Sequence, residues 1–282
     1  TTPVTASVAP TSSITCTTTS LTLSASPTGA FSYSWTPASG LTGNSVATPT
    51  VNQGGTYSVT ITNTVNGCFA NTSVTVPANT VVPTANIAVN SITTTCSVPN
   101  ATLSVTATPS TGATYSWTAP GSGSLNTYTV SNPIASGSGV FTVVVTNTIN
   151  GCSNATSQAT VQIIPDAAIP TVSVSANSLT ITCTNTTVTS ALTTTNTISS
   201  YNWSPVPVSG GANPVFNTPG AYNATVTASN GCVTNVSINV ALDNTVPTVT
   251  LTSATNNGTL TCLNTSISIT PTVSPSSNVT YT

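Results

Sequence analysis

The cysteines are the residues in this chain best placed to do chemistry, and they fall into two repeated phrases. Cys68, Cys152 and Cys232 close "TNTVNGC", "TNTINGC" and "TASNGC", whereas Cys16, Cys96, Cys183 and Cys262 follow a threonine in "ITCT", "TTCS", "ITCT" and "LTCL". Such thiols can stay free, bind a metal or form disulfides. A zinc site needs clustered Cys or His at short spacing, but successive cysteines here lie tens of residues apart and histidine is absent. No metal is expected. Oxidation in a secretory compartment fits better. The spacing favours one bridge per repeat: Cys16 with Cys68, Cys96 with Cys152, and Cys183 with Cys232, leaving Cys262 to pair beyond residue 282. Closing a loop of ~50 residues stabilises by about 4 kcal/mol, which matters in a small domain. A bridge between neighbouring repeats is the alternative pairing.

The remaining chemical inventory is sparse. The chain has no Lys, Arg or His, and its two acids are Asp166 and Asp243, each placed shortly before a proline. General acid–base catalysis and activated nucleophiles need titratable partners that this composition lacks, so no catalytic residue is assigned and no cofactor is expected. Calcium sites gather several carboxylates, and one per junction is too few. Without cations the chain has no means of holding a phosphate backbone or an anionic headgroup, which excludes nucleic acid and polybasic membrane roles. No segment approaches the length of an apolar membrane span, so direct membrane insertion is not expected.

Three tryptophans have fixed positions: Trp35, Trp117 and Trp203 follow the first cysteine of their repeat by 19, 21 and 20 residues. One reading is a packing keystone near the centre of a β-sandwich, the other a sugar-stacking platform; the fixed placement favours the keystone. Sequons at Asn71, Asn100, Asn154 and Asn223 allow glycosylation, although a chain this rich in Asn, Ser and Thr produces them by chance.

These residues must be positioned by strands. Threonine is about a quarter of the sequence and charged residues 1%, so surface polarity comes from hydroxyls and amides. In "TYSVTITN", Tyr57, Val59 and Ile61 alternate with Ser58, Thr60 and Thr62, and Phe141, Val143 and Val145 repeat the pattern. This period of two predicts half-buried strands, and no window carries a helical stripe. Asn66-Gly67, Asn150-Gly151 and Asn230-Gly231 predict tight hairpin turns. The Thr-Cys phrases recur every 79 to 87 residues, longer than solenoid repeats and right for a small sandwich. Pro83, Pro170 and Pro247 mark stiff linkers. The expected architecture is all-β: tandem immunoglobulin-like (PKD-like) sandwiches forming an elongated rod. Its repeats cover residues 1–81, 82–167 and 168–245, with a truncated fourth at 246–282 whose Tyr281 aligns with Tyr33, Tyr115 and Tyr201. The fourth repeat stops within an expected strand, so Thr282 is not expected to be a natural C-terminus.

The phrases "YSWTPASGL", "GTYSVTITNTVNGC" and "DNTVPTVTL" resemble the tandem immunoglobulin-like or PKD-like repeats of giant surface proteins in Bacteroidota, including gliding adhesins of the SprB type. The resemblance covers every repeat. It implies a secreted, cell-surface stalk exported by the type IX route, attaching to surface glycans or abiotic surfaces. The near absence of charge departs from that pattern and suggests a specialised fibre, because sheet edges lacking Lys gatekeepers pair with other copies of the same chain. A carbohydrate-binding module is a minor third reading.

Overall fold

The computed structural model describes residues 7–9, 12–37, 39–253, 259–263, 265–276 and 279–280. Tyr281 and Thr282 lie outside the described residues. The chain divides into two units, Thr1–Ala167 and Ala168–Thr282.

The second half of the first unit shows the sandwich most fully. Its larger sheet has four strands. Ser91–Thr95 runs parallel to Ala159–Asp166, which pairs antiparallel with Gly139–Asn147, which pairs antiparallel with Ala113–Thr118, the strand carrying Trp117. The opposing layer is Asn100–Thr102, Ile134–Gly137 and Gly123–Leu125, with Thr84–Ile87 paired to Val105–Thr108. Two layers, antiparallel except where the sandwich's first segment crosses from one to the other and pairs in parallel with the last strand, make an immunoglobulin-like sandwich. The same order recurs in the second unit, where Ser178–Thr182, Val233–Asp243, Gly220–Ala228 and Ile198–Ser204 form one sheet. It recurs again around Phe31–Thr36, Gly55–Asn63 and Phe69–Val76. After Pro247, Thr248–Ser253 pairs antiparallel with Ile269–Ser274, as the first strand of each earlier sandwich pairs with its partner.

The alternation in the sequence is the alternation of burial. Tyr57, Val59 and Ile61 are buried, as are Phe141, Val143 and Val145, and Tyr222, Ala224 and Val226. Each set belongs to a separate apolar cluster together with one tryptophan. Trp35, Trp117 and Trp203 are 2%, 3% and 5% exposed, so their faces are packed inside. Burial of an indole requires a partner for its N–H. Trp35 Nε1 donates to Val46 O at 2.9 Å, Trp117 Nε1 to Val130 O at 2.9 Å, and Trp203 Nε1 to Gly211 O at 3.2 Å. Two buried tyrosines tie their strands to the residue four places upstream: Tyr57 Oη donates to Gln53 O at 2.9 Å and Tyr222 Oη to Thr218 O at 3.1 Å. This is the tyrosine-corner arrangement of immunoglobulin-like domains; the middle sandwich places Phe141 there instead.

The other strand face points outward and is built of hydroxyls and amides. On the first sandwich the cross-strand rungs are Thr36, Ser58 and Ser73, then Ser34, Thr60 and Asn71. On the third they are Ser204, Asn223 and Ser237, then Asn202, Thr225 and Asn235. Hydroxyls and amides bond along such rungs, as Ser237 Oγ does to Asn223 Oδ1 at 2.6 Å.

Candidate functional site: the inter-repeat junction

The cysteines and the Asn-Gly tips come together at a junction between sandwiches, not within one. In each sandwich the strand before the first cysteine lies parallel to the last strand. Thr15 is level with Asn79, Thr95 with Asp166, and Thr182 with Asp243. The second cysteine lies just beyond the opposite end of that last strand. From Cys68 to Asn79 is 11 residues of nearly continuous strand, or about 36 Å at ~3.3 Å per residue. From Val233, next to Cys232, to Asp243 is similarly about 33 Å. A disulfide needs Cα atoms within roughly 7 Å.

The expected pairs Cys16–Cys68, Cys96–Cys152 and Cys183–Cys232 are therefore corrected: the two cysteines of a repeat sit at opposite ends of its sandwich. Instead Cys16 is bonded to Cys152, 136 residues away in sequence, with Cα atoms 5.0 Å apart. Cys68 and Cys183 are free thiols, half-buried and exposed respectively. Cys262 is also a free, exposed thiol.

Each side of the junction is a preformed local structure. Cys16 occupies a turn whose Thr15 N–H donates to Thr18 O at 2.9 Å, while Thr15 Oγ1 accepts from the Thr18 N–H at 2.9 Å. The threonine hydroxyl thus replaces the ladder partner that the chain leaves behind as it turns. On the other side, the tip runs from Asn147, whose N–H donates to Cys152 O at 2.8 Å, and Gly151 N–H returns to Asn147 O at 2.7 Å. Four residues, Thr148 to Gly151, form the loop, where the Asn-Gly pair predicts a two-residue turn. The glycine supplies positive φ, at +69°. The asparagine contributes a hydrogen bond, its Oδ1 accepting the Cys152 N–H at 3.0 Å.

Asn150 fastens the tip to the preceding sandwich. Its Nδ2 donates to Asn79 Oδ1 at 2.9 Å and to Val81 O at 3.0 Å, and its own carbonyl accepts the Cys16 N–H at 3.1 Å. The side chain is 1% exposed, so all of this polarity is satisfied without solvent. Gly151 packs so closely on Thr17 that a Cβ would overlap Thr17 Cγ2. A cleft of about 340 Å³ is lined by the linker residues Val82 and Pro83 and by Asn154 and Ser157 of the loop after Cys152.

Sequence reasoning missed the roles of Asn79, Asn150 and the Thr-Cys turn. A signal for the turn was present, because Thr-Cys recurs at every first cysteine. The first tip shows the contrast: Asn66 Oδ1 accepts the Cys68 N–H at 3.0 Å, yet Asn66 is exposed. Of the sequons, Asn71, Asn100 and Asn223 are exposed, whereas Asn154 is 4% exposed and engaged with Val145 N–H and Ser157 O.

Among the described residues, no group of three or more His, Cys, Asp or Glu side chains could hold a metal ion. Asp243 is exposed, and the Thr245 hydroxyl, followed by the Thr245 N–H, holds its carboxyl below the usual range.

No protein-family model matches the sequence, and no curated protein sequence matches it either. Solved structures of similar fold include the Escherichia coli adhesin FdeC, at 16% identity over 84% of this chain and 96% of that one, with a TM-score of 0.37. Protocadherin gammaB7 is 13% identical over 81% of this chain and 70% of that one, at 0.31. Extracellular domains 3–5 of Drosophila OTK are 10% identical over 80% of this chain and 91% of that one, at 0.28. The chain is a tandem of immunoglobulin-like β-sandwich repeats.

Proposed function

We propose that this chain is part of the repeat region of a giant secreted adhesin, a cell-surface stalk that carries load between an anchor and an adhesive surface. Its repeats are residues 1–81, 82–167, 168–245 and the beginning of a fourth at 246–282. The observation that carries the reading is the Cys16–Cys152 bridge, which joins one sandwich to the next. An enzyme domain gains little from such a bond, whereas a tandem array under tension gains a covalent bypass around its linker. The bridge also supports an oxidising, extracellular setting. Export by the type IX route and a role in gliding rest on the sequence resemblance to Bacteroidota repeats. The partners in this reading are surface glycans or abiotic surfaces.

A filament of laterally packed copies is the second reading, favoured by one observation. The tryptophan-bearing strands Phe31–Thr36, Ala113–Thr118 and Ile198–Ser204 each lie at an edge of their sheet, and none contains a charged residue or proline to discourage pairing. Electron microscopy of the native surface material separates the two. A string of beads one chain wide, labelled on intact cells by an antibody to these repeats, is the expected result. A multi-chain lattice overturns the stalk in favour of the filament, and labelling only after cell lysis overturns both.

A further inference from the structure

We propose that the outward sheet face of the first sandwich, around Phe69, binds an extended neutral polysaccharide of the β-1,4-glucan type. The inference rests on the adhesin reading, for which it supplies a contact site on the chain itself.

Phe69 departs from the placement of the other large aromatics. Phe141 and Phe216 are fully buried and the three tryptophans are packed inside, but Phe69 is 67% exposed. The strand pattern sets its direction. On Phe69–Val76, Val74 and Val76 face the core, so Phe69, Asn71 and Ser73 share the outer face. Phe69 ends a cross-strand row with Thr62 and Ser32, and the next row is Ser34, Thr60 and Asn71. From Phe69 to Ser73 is about 13 Å at ~3.3 Å per residue, and the three strands span about 10 Å across at ~4.8 Å spacing. Such a face accommodates a short run of sugar rings.

The third sandwich has the same rows and uses them differently. There the polar groups bond to one another: Thr225 Oγ1 donates to Asn235 Oδ1 at 2.9 Å, and Ser237 Oγ donates to Asn223 Oδ1 at 2.6 Å. The matching pairs in the first sandwich are Thr60 with Asn71 and Ser58 with Ser73. Among the described residues no side-chain bond joins either pair; the rung bond between those strands is Thr56 Oγ1 with Thr75 Oγ1 at 3.1 Å, at the end away from Phe69. The position of Phe69 is taken in the third sandwich by Val233, which has no ring to stack. The first sandwich alone therefore combines an outward aromatic ring with hydroxyls and an amide left open beside it.

A β-linked pyranose chain offers C–H groups on its flat faces and hydroxyls around its rim. The π-face of Phe69 is negative and meets the weakly positive C–H face, burying apolar area. Ser, Thr and Asn side chains both donate and accept, as sugar hydroxyls do. Charge selects among polysaccharides. Uronates and sulfated sugars call for Lys or Arg, which the chain lacks, and both aspartates lie outside this sandwich, so the face matches a neutral chain.

The test is titration of the isotope-labelled full chain with cellohexaose, followed by NMR, with oligogalacturonate as the acidic control. The expected result is saturable shifts centred on Ser34, Thr60, Phe69 and Asn71, and none with the control. Phe69→Ala should weaken binding about tenfold, and Phe69→Tyr should retain it. Because the ring is exposed, both variants should keep the near-ultraviolet circular dichroism of packed Trp35. Asn71→Ala leaves the ring in place and should weaken binding severalfold. Absence of saturable shifts, shifts centred on another face, equal response to the acidic control, or undiminished affinity in Phe69→Ala overturns the proposal. Its failure is separate from that of the stalk reading, which is decided by antibody labelling of intact cells and needs no cellohexaose binding.

Discussion

The junction bridge makes a mechanical prediction with a length attached. Consider the full chain held by one handle at its N-terminus and another clicked onto residue 167, then stretched until both sandwiches unfold. With Cys16 bonded to Cys152, tension crosses at the sulfurs and the 136 intervening residue steps stay slack. A fully extended chain spans about 3.5 Å per residue, so reduction should release roughly 480 Å in one step. Pairing within repeats would shield 52 and 56 residues in separate loops, giving two releases of about 180 and 200 Å. The same bond closes a 136-residue loop and constrains the unfolded chain by about 5 kcal/mol in the loop-entropy model. The assay is optical-tweezers extension before and after adding a phosphine reductant, with Cys16→Ser as control. Equal lengths in both states, or two short steps, would refute the reasoning.

Asn150→Ala removes two donated hydrogen bonds and one accepted bond from a buried site, so urea unfolding should show a loss of about 2–3 kcal/mol, against less than about 1 kcal/mol for Asn66→Ala at the exposed tip. Gly151→Ala should be worse than Gly67→Ala in the same assay, because both glycines have positive φ but a methyl group meets Thr17 only at Gly151, while nothing lies near Gly67. Trp117→Ala should cost about 3–5 kcal/mol, with loss of the near-ultraviolet circular dichroism of its packed indole. The Asp243 carboxyl should titrate below the ordinary aspartate range by NMR, and Thr245→Ala should raise it. Because the folded value is depressed, any stability it contributes is present above the ordinary aspartate pKa and is lost as pH falls through the folded value.

The strands were legible because their faces differ: the run Tyr57, Val59, Ile61 is apolar while Ser58, Thr60, Thr62 is polar, and only one arrangement buries the first set. The tryptophans were legible from their constant distance to a cysteine. The disulfide partners were not, because loop length rewards many pairings nearly equally and the sequence does not show where a strand's ends lie. What decides the matter is the parallel pairing of Thr15 with Asn79 and Thr95 with Asp166, a contact between the beginning and end of a sandwich. That pairing carries the first cysteine to the end away from its own tip. Asn150 was read as a turn former because Asn-Gly usually is one; its amide bonds reach residues about 70 positions earlier, which no local pattern reveals.

The outward rungs of Ser, Thr and Asn have a consequence for the medium the molecule can work in. Interactions between exposed charges weaken as the Debye length contracts from ~30 Å in 0.01 M salt to ~3 Å in 1 M salt. A surface with only two carboxylates and no cation has almost nothing for ions to screen. Hydroxyl rungs such as Ser204, Asn223 and Ser237 present the same hydrogen-bonding pattern in fresh water and in brine. Contacts made through these faces should therefore be indifferent to ionic strength.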